Sequence, residues 1–239
     1  MSNFIAAILN SCTNFTRTLL SQECLLCGGA SGHDLLCGDC ANGLPYHRVP
    51  ACPICALPTA GGETCGACLK HPPAFNRTLA AFDYAFPVDA LLHAFKYAGQ
   101  LPVAEALAQP LADLARTRPL PDALVPMPLH PARLKERGFN QAMELARALS
   151  RKLNVPVLAD AAIRQKDTAP QAGLPWKERR RNIRGAFDCR RNFTGKRLAV
   201  VDDVMTTGAT LGELAKTLKK NGAEVELWVV ARTLEKTHV

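Results

Sequence analysis

The chain has 239 residues, of which 48% are hydrophobic, 21% charged and 6% aromatic, enough apolar content for a full core and unlike a disordered composition. Its formal net charge of +8 is unevenly spread: residues 161–200 hold eleven Lys and Arg against three acids, whereas residues 1–75 hold three bases against four acids. So confined a basic block implies an anionic partner, while the lack of an eighteen-residue apolar run or a basic, apolar leader argues against a transmembrane segment and leads us to expect a cytoplasmic protein.

Residues 3–20 place Phe4, Ile5, Ile8, Leu9, Cys12, Phe15 and Leu19 at helical spacing, so residues 1–23 are predicted to form an amphipathic N-terminal helix. The one charge within 3–20, Arg17, gives no basic face for a membrane surface, and docking onto the rest of the protein or onto a partner is the expected use.

The next segment, 24–75, is a tandem repeat. Cysteines stand at 24, 27, 37 and 40 and again, 28 residues on, at 52, 55, 65 and 68. Two thiolates separated by two residues close on one ion through a tight turn, and nearby glycines let backbone amides approach the sulfurs. In a reducing compartment such an array holds metal rather than disulfides, and four sulfurs per ion leave no open position for water, so the expected role is structural. About two zinc ions per chain are predicted. The spacing is compatible with sequential quartets, the simpler arrangement, and with crossed pairs, 24/27 with 52/55 and 37/40 with 65/68. Cys12 and Cys189 stand alone and read as buried small apolar residues, and His33, His47 and His71 as surface histidines rather than ligands.

From residue 76 to 239 strands alternate with helices. Strands are predicted at 77–86, 122–128, 197–203 and 224–232, and helices at 88–99, 102–117, 139–153 and 208–222. That rhythm gives an α/β fold, a parallel sheet with flanking helices, whose ligands gather where strands end. The chemistry concentrates in LAVVDDVMTTGAT, 198–210. Four apolar residues make a buried strand, Asp202 and Asp203 end it, and Thr206, Thr207, Gly208, Ala209 and Thr210 turn into a helix. The turn aims amides and hydroxyls at one point beside the positive end of a helix dipole, which suits a phosphate. Two carboxylates beside a phosphate are tolerable when they serve hydroxyls or a divalent cation. The set describes a phosphorylated sugar, with Mg²⁺ and ribose hydroxyls at the aspartates. The plainer alternative is that Thr206 or Thr207 caps the helix and the aspartates face water. No G-x-x-x-x-G-K-[ST] and no G-x-G-x-x-G after a strand occurs, which argues against nucleoside triphosphatase and dinucleotide folds.

LAVVDDVMTTGAT resembles the phosphoribosyl-pyrophosphate (PRPP) motif of type I phosphoribosyltransferases. With HAFKYAG (93–99), VPMPLHPARLKERGFNQA (125–142) and TAPQAGLPWKERRRNIRGAF (168–187), the chain resembles the ComF family of competence-associated proteins. In that family a zinc module precedes a phosphoribosyltransferase-like domain. The resemblance implies ribose and Mg²⁺ at Asp202 and Asp203, the 5′-phosphate at Thr206 through Thr210, pyrophosphate near the loop around Pro128, and a mobile catalytic loop near 164–182. Departure of pyrophosphate builds negative charge on its oxygens, which prepositioned cations stabilise. Arg133, Arg137, Arg164, Lys166, Arg179 and Arg180 supply them. Lys96 reads equally as a phosphate ligand or a surface lysine, and Asn140 and Gln141 as ligand contacts or helix caps.

Two functions follow. One is Mg²⁺-dependent binding of PRPP with transfer of the phosphoribosyl group to an unknown nitrogen acceptor. The other is a non-catalytic module in DNA uptake, docking a protein partner or single-stranded DNA through the ribbons and KERRRNIR (177–184), and held at the inner membrane only through partners. Tyr46, Phe75, Trp176, Phe187 and Phe193 are too few for a base-stacking platform, which favours a protein partner.

Overall fold

The computed structural model describes residues 22–166 and 183–234, and it divides into two compact units, one ending at Leu44 and one beginning at Pro45. The helix expected at 3–20, the basic residues Arg179 and Arg180 and most of KERRRNIR lie outside the described residues. Among the described residues no helix is long and apolar enough to cross a membrane.

In the first unit, β1 (Gln22–Glu23) pairs antiparallel with β2 (Ala30–Gly32), and a single turn of helix, α1 (Gly38–Asn42), follows Cys37. The second unit opens with the second cysteine repeat, which ends in α2 (Gly66–Lys70). It continues through β3 (Arg77–Asp83), α3 (Val88–Tyr97), α4 (Pro102–Arg116), β4 (Ala123–Pro126), α5 (Pro131–Arg137) and α6 (Gln141–Leu153). A short antiparallel pair, β5 (Ile163–Arg164) with β6 (Phe187–Asp188), precedes β7 (Arg197–Met205), α7 (Ala209–Lys220) and β8 (Glu224–Arg232).

Four strands form one parallel sheet in the order β3-β8-β7-β4. β7 and β8 lie inside it, and their apolar runs, Leu198–Val201 and Leu227–Ala231, are buried as a parallel sheet covered by helices requires. Val225, Leu227 and Val229 of β8 and Leu198 and Val200 of β7 share one core with Leu211, Leu214 and Leu218 of α7. Cys52, Cys55 and Cys68 of the second repeat belong to that same core. The amphipathic α4 and α6 pack on one another, α4 also meeting β3 and β8 and α6 meeting β4 and β7. All four sheet strands and the expected long helices are thus present.

The chain between β4 and α6 departs from expectation. Instead of one helix from 139, a separate α5 occupies 131–137: Pro131 starts it, His130 Nδ1 accepts the Ala132 N–H (3.3 Å), and Gly138 ends it in the left-handed conformation (φ +76°). Asn140 then starts α6. β3 stops at Asp83 rather than 86, and β7 runs two residues past Asp203 to Met205.

Gly222 turns the chain from α7 into β8 with φ +89°, and a Cβ there would lie 2.6 Å from Thr194 Oγ1 and 2.9 Å from Thr194 backbone atoms. Gly222→Ala adds the left-handed cost to a backbone clash, about 2 kcal/mol or more. A thermal melt should fall by roughly 4–8 °C; an unchanged melt contradicts this packing.

Candidate functional site

The two cysteine repeats fold alike. In each, the first cysteine's carbonyl accepts the amide four residues on, Gly28 N–H to Cys24 (2.9 Å) and Ala56 N–H to Cys52 (2.8 Å), and its own amide donates to the residue five on, Gly29 (2.7 Å) or Leu57 (2.8 Å). The fourth-on residue is left-handed both times, Gly28 at φ +70° and Ala56 at +57°. The third cysteine carbonyls, of Cys37 and Cys65, likewise accept the amides of Ala41 (2.9 Å) and Leu69 (3.0 Å). The quartets are sequential: the sulfurs of Cys24, Cys27, Cys37 and Cys40 lie within 4.8 Å of one another, as do those of Cys52, Cys55, Cys65 and Cys68. Sγ separations of 3.8 Å (Cys27 to Cys37) and 3.6 Å (Cys55 to Cys65) match the roughly 3.8 Å edge of a tetrahedron with 2.3 Å zinc–sulfur bonds. Both donor sets therefore fit zinc. His47 is engaged elsewhere, its Nδ1 lying 2.5 Å from Asp83 Oδ1.

A crevice of about 170 Å³ opens at the carboxyl ends of β4 and β7. One wall is the turn Thr206, Thr207, Gly208, Ala209 and Thr210, the other Met127, Pro128 and Leu129 with the start of α6. Gly208 holds the N-cap place of α7 at φ +72°, without a side chain to cap it, and Thr207 Oγ1 takes the Ala209 amide only at a long 3.4 Å. First-turn amides have no acceptor inside a helix, so the turn presents donors where the dipole is positive. A Cβ at Gly208 would meet the Met205 methyl at 2.6 Å.

Asp202 and Asp203 line this crevice rather than open water. Asp203 is only 7% exposed; its Oδ1 accepts the Val204 amide (2.7 Å) and its Oδ2 lies 2.7 Å from Lys96 Nζ. Asp202 is half-buried and accepts the Asp203 amide at 2.9 Å. Burial, then the charge of Asp203, pushes the Asp202 carboxyl up to about 7, against the pull of that amide and of Lys96 and Arg164. Burial works against the Lys96 ammonium, but Asp203, by charge and hydrogen bond, and then Asp202 hold its pKa above lysine's ordinary value. Lys96 is thus part of the crevice, not a surface residue.

The other expected residues divide. Arg137 and Arg164 line the crevice, Arg137 donating to Gln141 Oε1 (3.2 Å). Arg133 is outside the lining and pairs with Glu136 at 3.0 Å, and Lys166 is also outside it, donating to the Arg184 carbonyl at 2.9 Å. Asn140 lines the crevice as a cap: its Oδ1 accepts the Ala142 amide (3.0 Å) and its Nδ2 donates to the Met127 carbonyl (3.0 Å), tying α6 to the β4 exit. Gln141 is 4% exposed, and its Nε2 has no partner among the described residues, leaving a donor for a ligand. Arg232, which reads from sequence as the outer end of a strand, is 3% exposed and reaches the carbonyls of Met205 and Thr206.

A family model described as a double zinc ribbon domain matches residues 15–69, and one described as a phosphoribosyl transferase domain matches residues 137–239. The chain is 36% identical to the DNA utilization protein YhgH of Escherichia coli K12 over 86% of its own length and 93% of that protein. It is 36% identical to Competence protein F of Haemophilus influenzae over 82% of this chain and 84% of that one, and 27% identical to Competence protein ComFC of Bacillus subtilis over 83% and 89%. The parallel sheet with its helices is the type I phosphoribosyltransferase-like fold, preceded by a cysteine-rich zinc-ribbon region.

Because the folded-state pKa of Asp202, about 7, lies above the ordinary carboxylate value of 3.8, the folded protein holds an extra proton between them, and stability falls as pH rises through that window. Asp202→Asn removes the loss. It should raise the melting temperature of the ligand-free protein at pH 7.5 by a few degrees, about 1–2 kcal/mol after allowance for partial exposure. The gain should vanish near pH 4, and an equal gain at both pH values contradicts the assignment.

Proposed function

The chain belongs to the ComF family of competence and DNA-utilisation proteins, and on that footing we propose that its crevice binds phosphoribosyl pyrophosphate with Mg²⁺ in the service of DNA uptake or utilisation. The observation that carries this reading is the convergence on one crevice of the side-chain-free turn at Gly208, the Asp202–Asp203 pair and the Gln141 Nε2, which has no partner among the described residues. The turn amides and the hydroxyls of Thr206, Thr207 and Thr210 hold the 5′-phosphate, and the two carboxylates take the ribose hydroxyls. Arg137, Arg164 and Lys96 line the same crevice and supply the positive charge that pyrophosphate needs, and the Gln141 Nε2 donor belongs to the same lining. Asp202 and Asp203 also suit Mg²⁺, which when bound supplies positive charge to the phosphate oxygens. Each cysteine quartet holds one structural zinc.

The reaction class that this charge pattern serves is phosphoribosyl transfer. The bond from C1 to the pyrophosphate oxygen breaks, its electron pair leaving with pyrophosphate, as an acceptor nitrogen forms the new C1–N bond and gives its proton to water. Prepositioned guanidinium and ammonium groups stabilise the charge on the departing oxygens.

With Mg²⁺ present, PRPP at 100 times its dissociation constant should add about 2.7 kcal/mol of stability, which raises the melting temperature by roughly 5–10 °C. Asp202→Ala with Asp203→Ala should abolish the rise. A wild-type chain that ignores PRPP yet binds single-stranded DNA, with affinity falling steeply with salt and the same in the double variant, overturns this reading in favour of docking.

A further inference from the structure

We propose that Arg232 is a positioning residue that couples the second cysteine quartet to the phosphate turn, so that metal at Cys52, Cys55, Cys65 and Cys68 and phosphate at residues 206–210 strengthen each other's binding. The inference rests on the PRPP reading above. It starts from the second repeat's place in the core beside β7, β8 and α7.

The peptide groups between Cys52 and Cys55 form the knuckle that brings two of the four sulfurs together, and their carbonyls face the sheet. The Pro53 carbonyl accepts the Thr78 amide (3.3 Å), the Ile54 carbonyl accepts the Thr78 hydroxyl (2.6 Å), and the Cys55 carbonyl accepts Arg232 Nε (2.9 Å). The same guanidinium continues to the other side. Its Nη1 donates to the carbonyls of Met205 (2.9 Å), Thr233 (2.7 Å) and Thr206, the first residue of the phosphate turn. Thr78 makes a second link, its hydroxyl lying 3.9 Å from Met205 Sδ, and the Met205 methyl underlies Gly208. One planar group thus fixes the height of the turn against the height of the knuckle. Arginine can do this because its donors diverge in a rigid fork; a lysine ammonium is a point charge on a flexible stem and serves one side well at a time.

The knuckle is the element with two arrangements. Ligation closes it, whereas four unligated thiols have no covalent reason to stay within reach of one another. If a closed knuckle sets the Cys55 carbonyl that Arg232 holds, metal in the second quartet prearranges the turn for phosphate. Linkage then requires phosphate to hold that metal more tightly by the same factor. The first quartet, in the other compact unit, is the internal control.

The test follows zinc release from the purified full chain to a chromophoric chelator, with Mg²⁺ in excess, with and without PRPP, after calorimetry has measured PRPP binding. We expect two zinc ions per chain, one of them released about 5-fold or more slowly when PRPP is bound. In a Cys24→Ser, Cys27→Ser chain the protected ion should be the one retained. In Arg232→Met the protection should vanish and PRPP affinity fall, and Arg232→Lys should restore part of both. Should Arg232→Met not fold, the wild-type and Arg232→Lys release rates decide. PRPP binding that leaves both release rates unchanged, or that protects the first quartet's ion, overturns the coupling and spares the ligand reading. Absence of any PRPP binding overturns the ligand reading and the coupling with it.

Discussion

Two adjacent carboxylates at the end of a buried strand are the constraint on which the remainder of the protein turns. β7 runs apolar from Leu198 to Val201 and then delivers Asp202 and Asp203 to one crevice, where burial and the charge of Asp203 push the Asp202 carboxyl up. The fold answers in three ways: the Val204 and Asp203 amides donate to the two side chains, Lys96 is brought from α3 to pair with Asp203, and Asp202 keeps a raised affinity for a proton. Removal of one partner from such a pair leaves an uncompensated buried charge, which is strongly destabilising. An arrangement that costs this much in the free protein is retained where a ligand uses it, and ribose hydroxyls or a divalent cation relieve the same repulsion.

The turn at 206–210 depends on the strand in a second way. Because β7 continues to Met205, the turn begins where β7 and β8 are still paired, with Met205 opposite Arg232. Arg232 is therefore placed where its side chain reaches both the turn and the second cysteine repeat. This joins the second cysteine repeat to the start of the turn that lines the crevice. The first repeat, with the same local hydrogen bonds, stands in its own compact unit.

Much of this was legible in the sequence, for identifiable reasons. The 28-residue cysteine period survives in the fold as a repeated bonding pattern, since the ligand spacing itself dictates the knuckle. β7 and its turn were legible because an apolar run, paired acids and a threonine- and glycine-rich turn each have one compatible local structure. The hidden parts depend on tertiary neighbours. Lys96 reads as evenly surface or site until α3 brings it to Asp203 of β7, and Arg232 looks like the polar end of a strand until the second repeat meets it. The separate α5 was hidden by the run of helix formers on either side of Gly138, although that glycine, Pro131 and the capping Asn140 carry the signals that divide it from α6. Arg133 follows from this: α5 turns it toward Glu136, outside the crevice lining.

The most direct measurement of the central claim is a crystal structure of the zinc-loaded chain grown with Mg²⁺ and ribose 5-phosphate, a minimal ligand that has the phosphate and the hydroxyls and no leaving group. The phosphate should lie against the amides of residues 206–210 with the ribose hydroxyls at Asp202 and Asp203, and Gln141 Nε2 should face the same cavity. Sugar phosphate bound elsewhere on the chain, or a crevice still empty at saturating ligand with the Lys96–Asp203 pair unmoved, would contradict it.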